Sequence, residues 1–454
     1  MARKDTKLHP PGWIGRRERG KDRGWQPGSW EDGRCATTHP YGETRHTAGV
    51  AHRNKESPLT VLERKANSQV AHLTPGDIEA IGRELDAIRQ EVLDSRGERD
   101  AAYIRRVIDV QRKIELGSRV LLLASRFPPA WILGTLGLSV AKILDNMEIG
   151  HNVLHGQWDW MRDPKIHSTT WDWDHASPPE QWKRSHNELH HTYTNILGQD
   201  NDLGYGIMRV DEDQPWQPRY LVQPLWNFIN ACIFEYGIAM YDLELGAALR
   251  EKRGYTPELR ARVGQALRKV RKQVVKDYVV HPALSGPSYR RTLAANATAN
   301  LIRNVWSHSV IMCGHFPEGV ETFEQKELDA RETKGQWYLR QMLGSANISG
   351  SKLLHLMSGN LSHQIEHHLF PDLPSNRYAE IAPKVRDLFQ RYGLSYHAAP
   401  MPKQVASAWH KVLRLSLPNG WLAETTPRNA PRQIAKLFRA SLGASEAPRA
   451  LQPA

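Results

Sequence analysis

Three histidine clusters lie far apart in the chain, and a fold that uses them together has to bring three distant segments to one place. They are His151-Asn-Val-Leu-His155, His186-Asn-Glu-Leu-His190-His191 and Gln364-Ile-Glu-His367-His368, the last within the stretch from Gly359 to Pro371. Side chains three or four residues apart share one face of a helix, so each cluster can present its rings together. Neutral imidazole is the commonest protein ligand for iron, zinc and copper. Structural zinc takes four ligands and catalytic zinc three; the seven histidines of these clusters point to two metal ions. No HExxH sequence is present, which argues against a zinc protease. Soluble di-iron bundles rely on carboxylates with Glu-x-x-His, so a centre this rich in imidazole requires another architecture.

The chain has 454 residues, enough for one large domain or two modest ones. Cys35, Cys232 and Cys313 are widely separated, so neither a disulfide framework nor a thiolate metal site is expected. The formal charge of +12 is unevenly distributed: residues 1–65 carry +6 and the block from Leu249 to Lys276 carries +8. A basic surface suits nucleic acid, an anionic membrane or an anionic substrate. No helix-turn-helix, zinc finger or RNP-like pattern accompanies it, so nucleic acid is not expected as a partner. Mean hydropathy is low for a membrane protein.

Residues 1–70 are rich in Arg, Gly, Pro and His without a hydrophobic period, which reads as a disordered basic tail. His9-Pro-Pro-Gly12 departs at its third position from the haem-ligating HPGG of cytochrome b5 domains and is assigned no function. No signal peptide is expected. Residues 71–400 read as one domain and 401–454 as a polar C-terminal tail. After Thr74-Pro-Gly-Asp77, the residues Ile78, Ile81, Leu85, Ile88 and Val92 recur at helical spacing, predicting an amphipathic helix that ends near Arg96. A second helical run from Ala101 stops at Phe127-Pro-Pro129. Trp131 to Met147 is an apolar helix barely long enough to span a bilayer. Leu221 to Leu249 is a longer apolar stretch, either one tilted span or a tight hairpin, and Leu293 to Met312 is a third. The basic block places Leu259, Val263, Leu267, Val270 and Val274 at helical spacing, an amphipathic helix suited to an anionic surface or a phosphate. The positive-inside tendency puts it in the cytoplasm, and hairpin pairing of the spans brings the histidine clusters to the same side.

HxxxH, HxxxHH and QxxHH in this order, with the phrase Gln364-Ile-Glu-His-His-Leu-Phe-Pro371, resemble the membrane-bound fatty acid desaturases over roughly Trp131 to Pro383. The resemblance implies an all-α fold, an integral membrane helical bundle whose cytosolic helical cap holds a histidine-ligated di-iron site. It implies two non-haem iron ions, dioxygen as co-substrate, and NAD(P)H-derived electrons delivered by a separate ferredoxin- or flavin-type reductase. The expected substrate is an acyl-CoA or acyl lipid that gains a cis double bond. Hydroxylation of the same kind of chain is the alternative, because the same oxidant can rebound with oxygen. The implied metal ligands are His151, His155, His186, His190, His191, His315, Gln364, His367 and His368, with no catalytic group beyond them.

His315, in Gly314-His315-Phe-Pro317, resembles the extra metal-binding histidine found between the second and third clusters. His308 competes for that role, because Asn304-Val-Trp-Ser-His308 resembles the AsnxxxHis of the stearoyl-CoA type. His363 adjoins Gln364 and so points elsewhere on a helix, to a supporting or packing position. Asp200 and Asp202 are candidates to hold imidazole tautomers, with loop solvation as the other reading. Gln364 is usual in the front-end branch of the family. The lack of a cytochrome b5 domain and the run from Asn152 to Trp160 resemble instead the actinobacterial acyl-CoA desaturases, including those acting on stearoyl-CoA. The basic block suits the phosphates of coenzyme A as well as anionic lipid.

Overall fold

The computed structural model describes residues 69–424 except 201, 245–255 and 325–331, together with 428–433, 435, 30–31 and 34–35. The tail expected over 1–70 therefore lies almost wholly outside the described residues; within it, Trp30–Glu31 and Arg34–Cys35 form a short antiparallel pair. Nearly all the remaining secondary structure is helical.

Helix α1, Pro75–Ser95, begins at a reciprocal cap: Asp77 N donates to Thr74 Oγ1 at 3.2 Å and Thr74 N donates to Asp77 Oδ2 at 2.8 Å. Its Ile78, Ile81, Leu85 and Val92 are buried, as their spacing predicts. Helices α2, Glu98–Leu123, and α3, Pro128–Leu144, pack as a hairpin about Phe127. Prolines open α3 because the first turn of a helix needs no N–H donor there. The helix does not end at Leu144 but runs through a π-helical turn, Asp145–His151, into Asn152–Leu154. Helix α4, Pro179–Trp182, likewise continues through a π-helical turn, Lys183–His190, into His191–Tyr193. Such turns concentrate at functional sites, and here they carry His151, His186 and His190, with His155 and His191 following directly.

Two short helices, α5 (Gln223–Cys232) and α6 (Phe234–Asp242), replace the single long apolar helix allowed for Leu221 to Leu249. The break at Ile233 is held by a residue distant in sequence: Asn304 donates to the Cys232 carbonyl at 3.0 Å and accepts from Glu235 N at 3.4 Å. Helix α7, Pro257–Val274, is the expected basic helix and continues through Val275–Val280. Helix α8, Tyr289–His315, runs along α3. Further helices are α9 (Lys334–Leu343), α10 (Lys352–Met357), α11 (Gln364–Leu369), α12 (Tyr378–Arg391) and α13 (Met401–Leu415). The last of these corrects the expectation of a polar tail from 401. Ala408, Val412 and Leu415 fall on one face, and the first two pack with Met312 and Phe316. Parallel pairs join Ile196–Leu197 to Phe323–Glu324 and Asn347–Ser349 to Ala398–Pro400.

Among the described residues no helix is long and apolar enough to cross a membrane; the apolar segments Trp131–Met147 and Leu293–Met312 are both helical. The helices turn their charge inward. Lys142 of α3 lies 2.7 Å from Asp277 and 2.9 Å from Asp174, Arg119 of α2 lies 3.2 Å from Asp277, and Arg303 of α8 pairs with Glu235 of α6. The outward faces are apolar: Leu116 is 67% exposed, Leu133 60%, Phe228 59% and Leu284 71%.

Candidate metal centre

The two π-helical turns, α11 and the last residue of α8 deliver the predicted rings to one buried place. One group joins His151, His155, His186 and His367, another joins His190, His191 and His368, and within each the ligating atoms lie within 4.8 Å of one another. His315 joins the second group, its Nε2 3.0 Å from His368 Nε2 and its ring 4.8 Å from that of His190. Gln364 Nε2 stands 3.0 Å from His315 Nε2. The groups adjoin, with the rings of His191 and His367 4.9 Å apart.

The outer nitrogens fix the tautomers. His186 Nδ1 donates to Asp202 Oδ2 and His190 Nδ1 to Asp200 Oδ1, both at 2.8 Å. His151 Nδ1 donates at 3.2 Å to Asn152 Oδ1, whose amide nitrogen is tied to the Glu148 and Gly359 carbonyls. His315 Nδ1 faces the Gly344 carbonyl at 3.3 Å, and His368 Nδ1 faces Gln341 Oε1 at 3.2 Å. His367 Nδ1 donates at 3.2 Å to the Tyr378 hydroxyl, which itself donates to the Phe370 carbonyl. Each Nδ1 thus carries the proton and leaves a lone pair on Nε2. These lone pairs face one another, at 3.2 Å between His151 and His186 and at 3.0 Å between His315 and His368. His367 Nε2 and Gln364 Oε1 are buried without a hydrogen-bond partner. Facing lone pairs repel unless a cation lies between them, so the donor set fits two metal ions ligated through nitrogen.

Charge agrees with this. Burial first, then mutual repulsion, holds His151, His155, His191, His367 and His368 well below the usual imidazole range, so these rings are neutral and ready to ligate at neutral pH. His315 is pushed down to about 3 by burial. Burial opposes protonation of His190 too, but Asp200 outweighs it and the ring rises above its ordinary value. Burial pushes Asp202 up to about 7, whereas Asp200, beside His190, stays below the usual carboxylate value despite burial.

The remaining predicted residues separate cleanly. Asp200, buried, and Asp202, mostly buried, are partners of ring nitrogens, not loop solvation. His308 is turned away, its Nε2 3.0 Å from Asn227 Oδ1, and Asn304 braces the α5–α6 break, so the Asn304/His308 alternative serves packing. His363 stacks on His355 with ring centroids 4.6 Å apart, outside both groups. In the described part of the basic block, Lys272 reaches Asp172 at 3.1 Å, Lys276 reaches Asp174 at 2.6 Å, and Lys269 also pairs with Asp172; its first residues, 249–255, lie outside the described residues. Sequence reasoning missed Gln341 and Tyr378, because nothing local marks a residue whose partner ring lies elsewhere in the chain, and it missed Asn152, whose amide is held against the neighbouring His151 ring by the distant Gly359 carbonyl.

A narrow cavity opens beside the first group. Its wall includes His151, His186, Trp173, Trp182, Tyr205, Phe234, Ile238, Ile311 and Leu361. Asp202, Glu235 and Asp242 also line it, but most of its exposed surface is apolar, and such a slot against a cluster of neutral imidazoles is suited to oxidising an unactivated hydrocarbon held rigidly at a metal.

Comparison with known proteins gives the same answer. Residues 126–400, more than half of the chain, match the model of the family described as fatty acid desaturase. The NADPH-dependent stearoyl-CoA 9-desaturase of Mycobacterium tuberculosis is 50% identical over 377 residues, covering 82% of this chain and 88% of the relative. The sn-1 linoleoyl-lipid 6-desaturase of Synechocystis is 25% identical over 297 residues, covering 63% and 80%. Human fatty acid desaturase 3 is 30% identical over 100 residues, covering 22% and 20%. No solved structure matches the chain. With two converging sets of imidazoles, a greasy slot and these relatives, the chain belongs to the fatty acid desaturase family.

Proposed function

We propose that this protein is an oxygen-dependent fatty acyl-CoA desaturase, which removes two hydrogens from adjacent methylenes of a stearoyl-like chain and leaves a cis double bond. The observation that carries the reading is the set of Nε2 lone pairs facing one another at the wall of an apolar cavity. The extensive similarity to a stearoyl-CoA 9-desaturase named as NADPH-dependent supports coenzyme A as the acyl carrier and NADPH as the source of electrons, delivered by a separate reductase.

His151, His155, His186 and His367 would hold one iron ion; His190, His191, His315 and His368, with Gln364 beside them, would hold the second. Bound iron supplies dioxygen activation and the power to oxidise an unactivated C–H bond. The protein's own groups do the rest. Asp200, Asp202, Asn152 and Tyr378 hold protons on the outer nitrogens and keep the inner lone pairs aimed inward. Trp173, Phe234 and Ile311 confine the chain and exclude water, so that it cannot swing away from the reacting position. The apolar outward faces of α2, α3, α5 and α8 support an integral membrane bundle, and the basic α7 supports a catalytic side facing the cytoplasm.

The reading is tested by expressing the chain in a host that lacks its own desaturase, followed by lipid profiling and mass spectrometry. A product two hydrogens lighter than the saturated chain is expected; a product carrying one added oxygen would replace desaturation by hydroxylation.

A further inference from the structure

Three carboxyl groups line the cavity, and the structure treats them differently. Glu235 is paired with Arg303 and accepts from Gln273 Nε2 at 2.7 Å, so its charge is matched. Asp202 accepts from His186. Asp242, only 2% exposed, is held by the hydroxyls of Ser177 and Ser185, and among the described residues no Lys or Arg forms an ion pair with its carboxyl. The neighbouring guanidinium groups are engaged elsewhere: Arg262 donates to the backbone carbonyl of Asp242, and Arg184 pairs with Glu244 at 3.3 Å. His175, on the same wall, is itself neutral through burial and accepts from Ser177 N at 3.0 Å.

An unpaired carboxylate in such a place is expensive, and the group lowers its energy by keeping its proton. The reaction needs protons where Asp242 stands. Its balance is R–CH2–CH2–R′ + O2 + 2 H⁺ + 2 e⁻ → R–CH=CH–R′ + 2 H2O, with the electrons supplied by the NADPH-linked reductase. The Nδ1 protons of the ligating rings are committed to fixed acceptors, and Trp173, Trp182, Tyr205 and Phe234 line the rest of the wall. We propose that Asp242 is the proton-relay residue of this site: it rests protonated, passes its proton into the cavity, and regains one from the surface on the side of Glu244, whose side chain is 25% exposed. Ser185 Oγ, one residue before His186, donates to the Asp242 carboxyl, and because a hydroxyl can also accept it offers the proton a path along the wall. The proposal rests on the desaturase reading for what consumes the protons, and on Asp242's own surroundings for the rest.

Asp242→Asn keeps oxygen and nitrogen atoms for both serine contacts and removes only the transferable proton. With full-length, iron-loaded protein, reductase and stearoyl-CoA, this variant is expected to keep its iron. Its desaturation should fall about a hundredfold, with more dioxygen consumed per double bond and a larger solvent deuterium effect. In metal-free protein, the infrared carbonyl band of a buried carboxylic acid should be present in the native chain and absent from Asp242→Asn. Native rate and coupling in Asp242→Asn overturn the proposal. So does loss of iron matched by Ser185→Ala, which would make the carboxyl a structural staple. Failure of the desaturase reading shows separately, as a native protein that forms no double bond; the infrared band then still decides whether Asp242 holds a proton.

Discussion

Replacing Asp200 by Asn should loosen one metal position and leave the other nearly intact. Asp200 Oδ1 accepts from His190 Nδ1 and from Asp202 N, each at 2.8 Å, while Oδ2 accepts from Asn195 N at 2.7 Å. All three donors approach a side chain that is wholly buried, so no water can take over. An amide has one accepting oxygen. Whichever way Asn is turned, its NH2 group faces an N–H that has lost its acceptor, a cost of about 1–3 kcal/mol. His190 also loses a charge-assisted bond, which makes the ring a poorer ligand; loss of such partners lowers metal affinity by about 10- to 100-fold. Since His190 belongs with His191, His315 and His368, the effect should be confined to that ion. The assay is iron content per chain after graded exposure to a chelator. Native protein should release both ions at similar chelator concentrations, and Asp200→Asn should release one early. Retention of both irons at the native chelator midpoint, with an unchanged melting temperature, would refute the reasoning.

Three further outcomes follow from the same geometry. Tyr378→Phe removes the acceptor of both His367 Nδ1 and Gln157 Nε2; it should release iron from the other group, with the affinity again falling about 10- to 100-fold, as read by chelator competition. Gly359→Ala should destabilise the protein by at least about 2 kcal/mol in denaturant melts, because the residue has φ +71° and an added Cβ would lie 2.5 Å from the Met147 carbonyl oxygen. His363 is pushed down to about 4 by burial, against an ordinary value of 6.5. The unfolded chain therefore binds the extra proton between those values, and stability is full above pH 6.5 and lost as pH falls toward 4, by about 3 kcal/mol from this ring alone. Melts of metal-free His363→Phe between pH 4 and 7 should show a shallower acid loss than native protein; a parallel curve would exclude this ring as a contributor.

The local features were legible from the chain itself. The Thr74–Asp77 cap, the buried stripe of α1 and the stop at Phe127-Pro-Pro129 each depend on residues a few positions apart, and the structure contains all three. The histidine clusters were legible for the same reason, since spacing alone puts the rings of each on one side. Features set by distant partners were not. The break at Ile233 depends on Asn304, 72 residues from the carbonyl it holds. Tyr378 supports His367 across a turn that sequence gives no reason to single out. The motif around His315 favours it over His308, and the structure places its ring beside His368 while His308 turns to Asn227. What a charge within an apolar segment does was not legible either, because hydropathy cannot distinguish a lysine aimed into a bundle from one aimed outward.

That last point bears on how the protein is made. Lys142 finds its counter-charges at Asp174 and Asp277, Arg119 finds one at Asp277, and Arg303 finds one at Glu235. Arg119 also has Glu115 one turn away on its own helix, but both partners of Lys142 lie on later segments, and Asp277 is synthesised 135 residues after it. If the bundle resides in lipid, the first hairpin leaving the ribosome would carry Lys142 bare into hydrocarbon, at a penalty of about 2.5–3.5 kcal/mol near mid-depth. Its stable placement must therefore wait for the later segments, and lodging in the bilayer and acquiring tertiary structure become a single event.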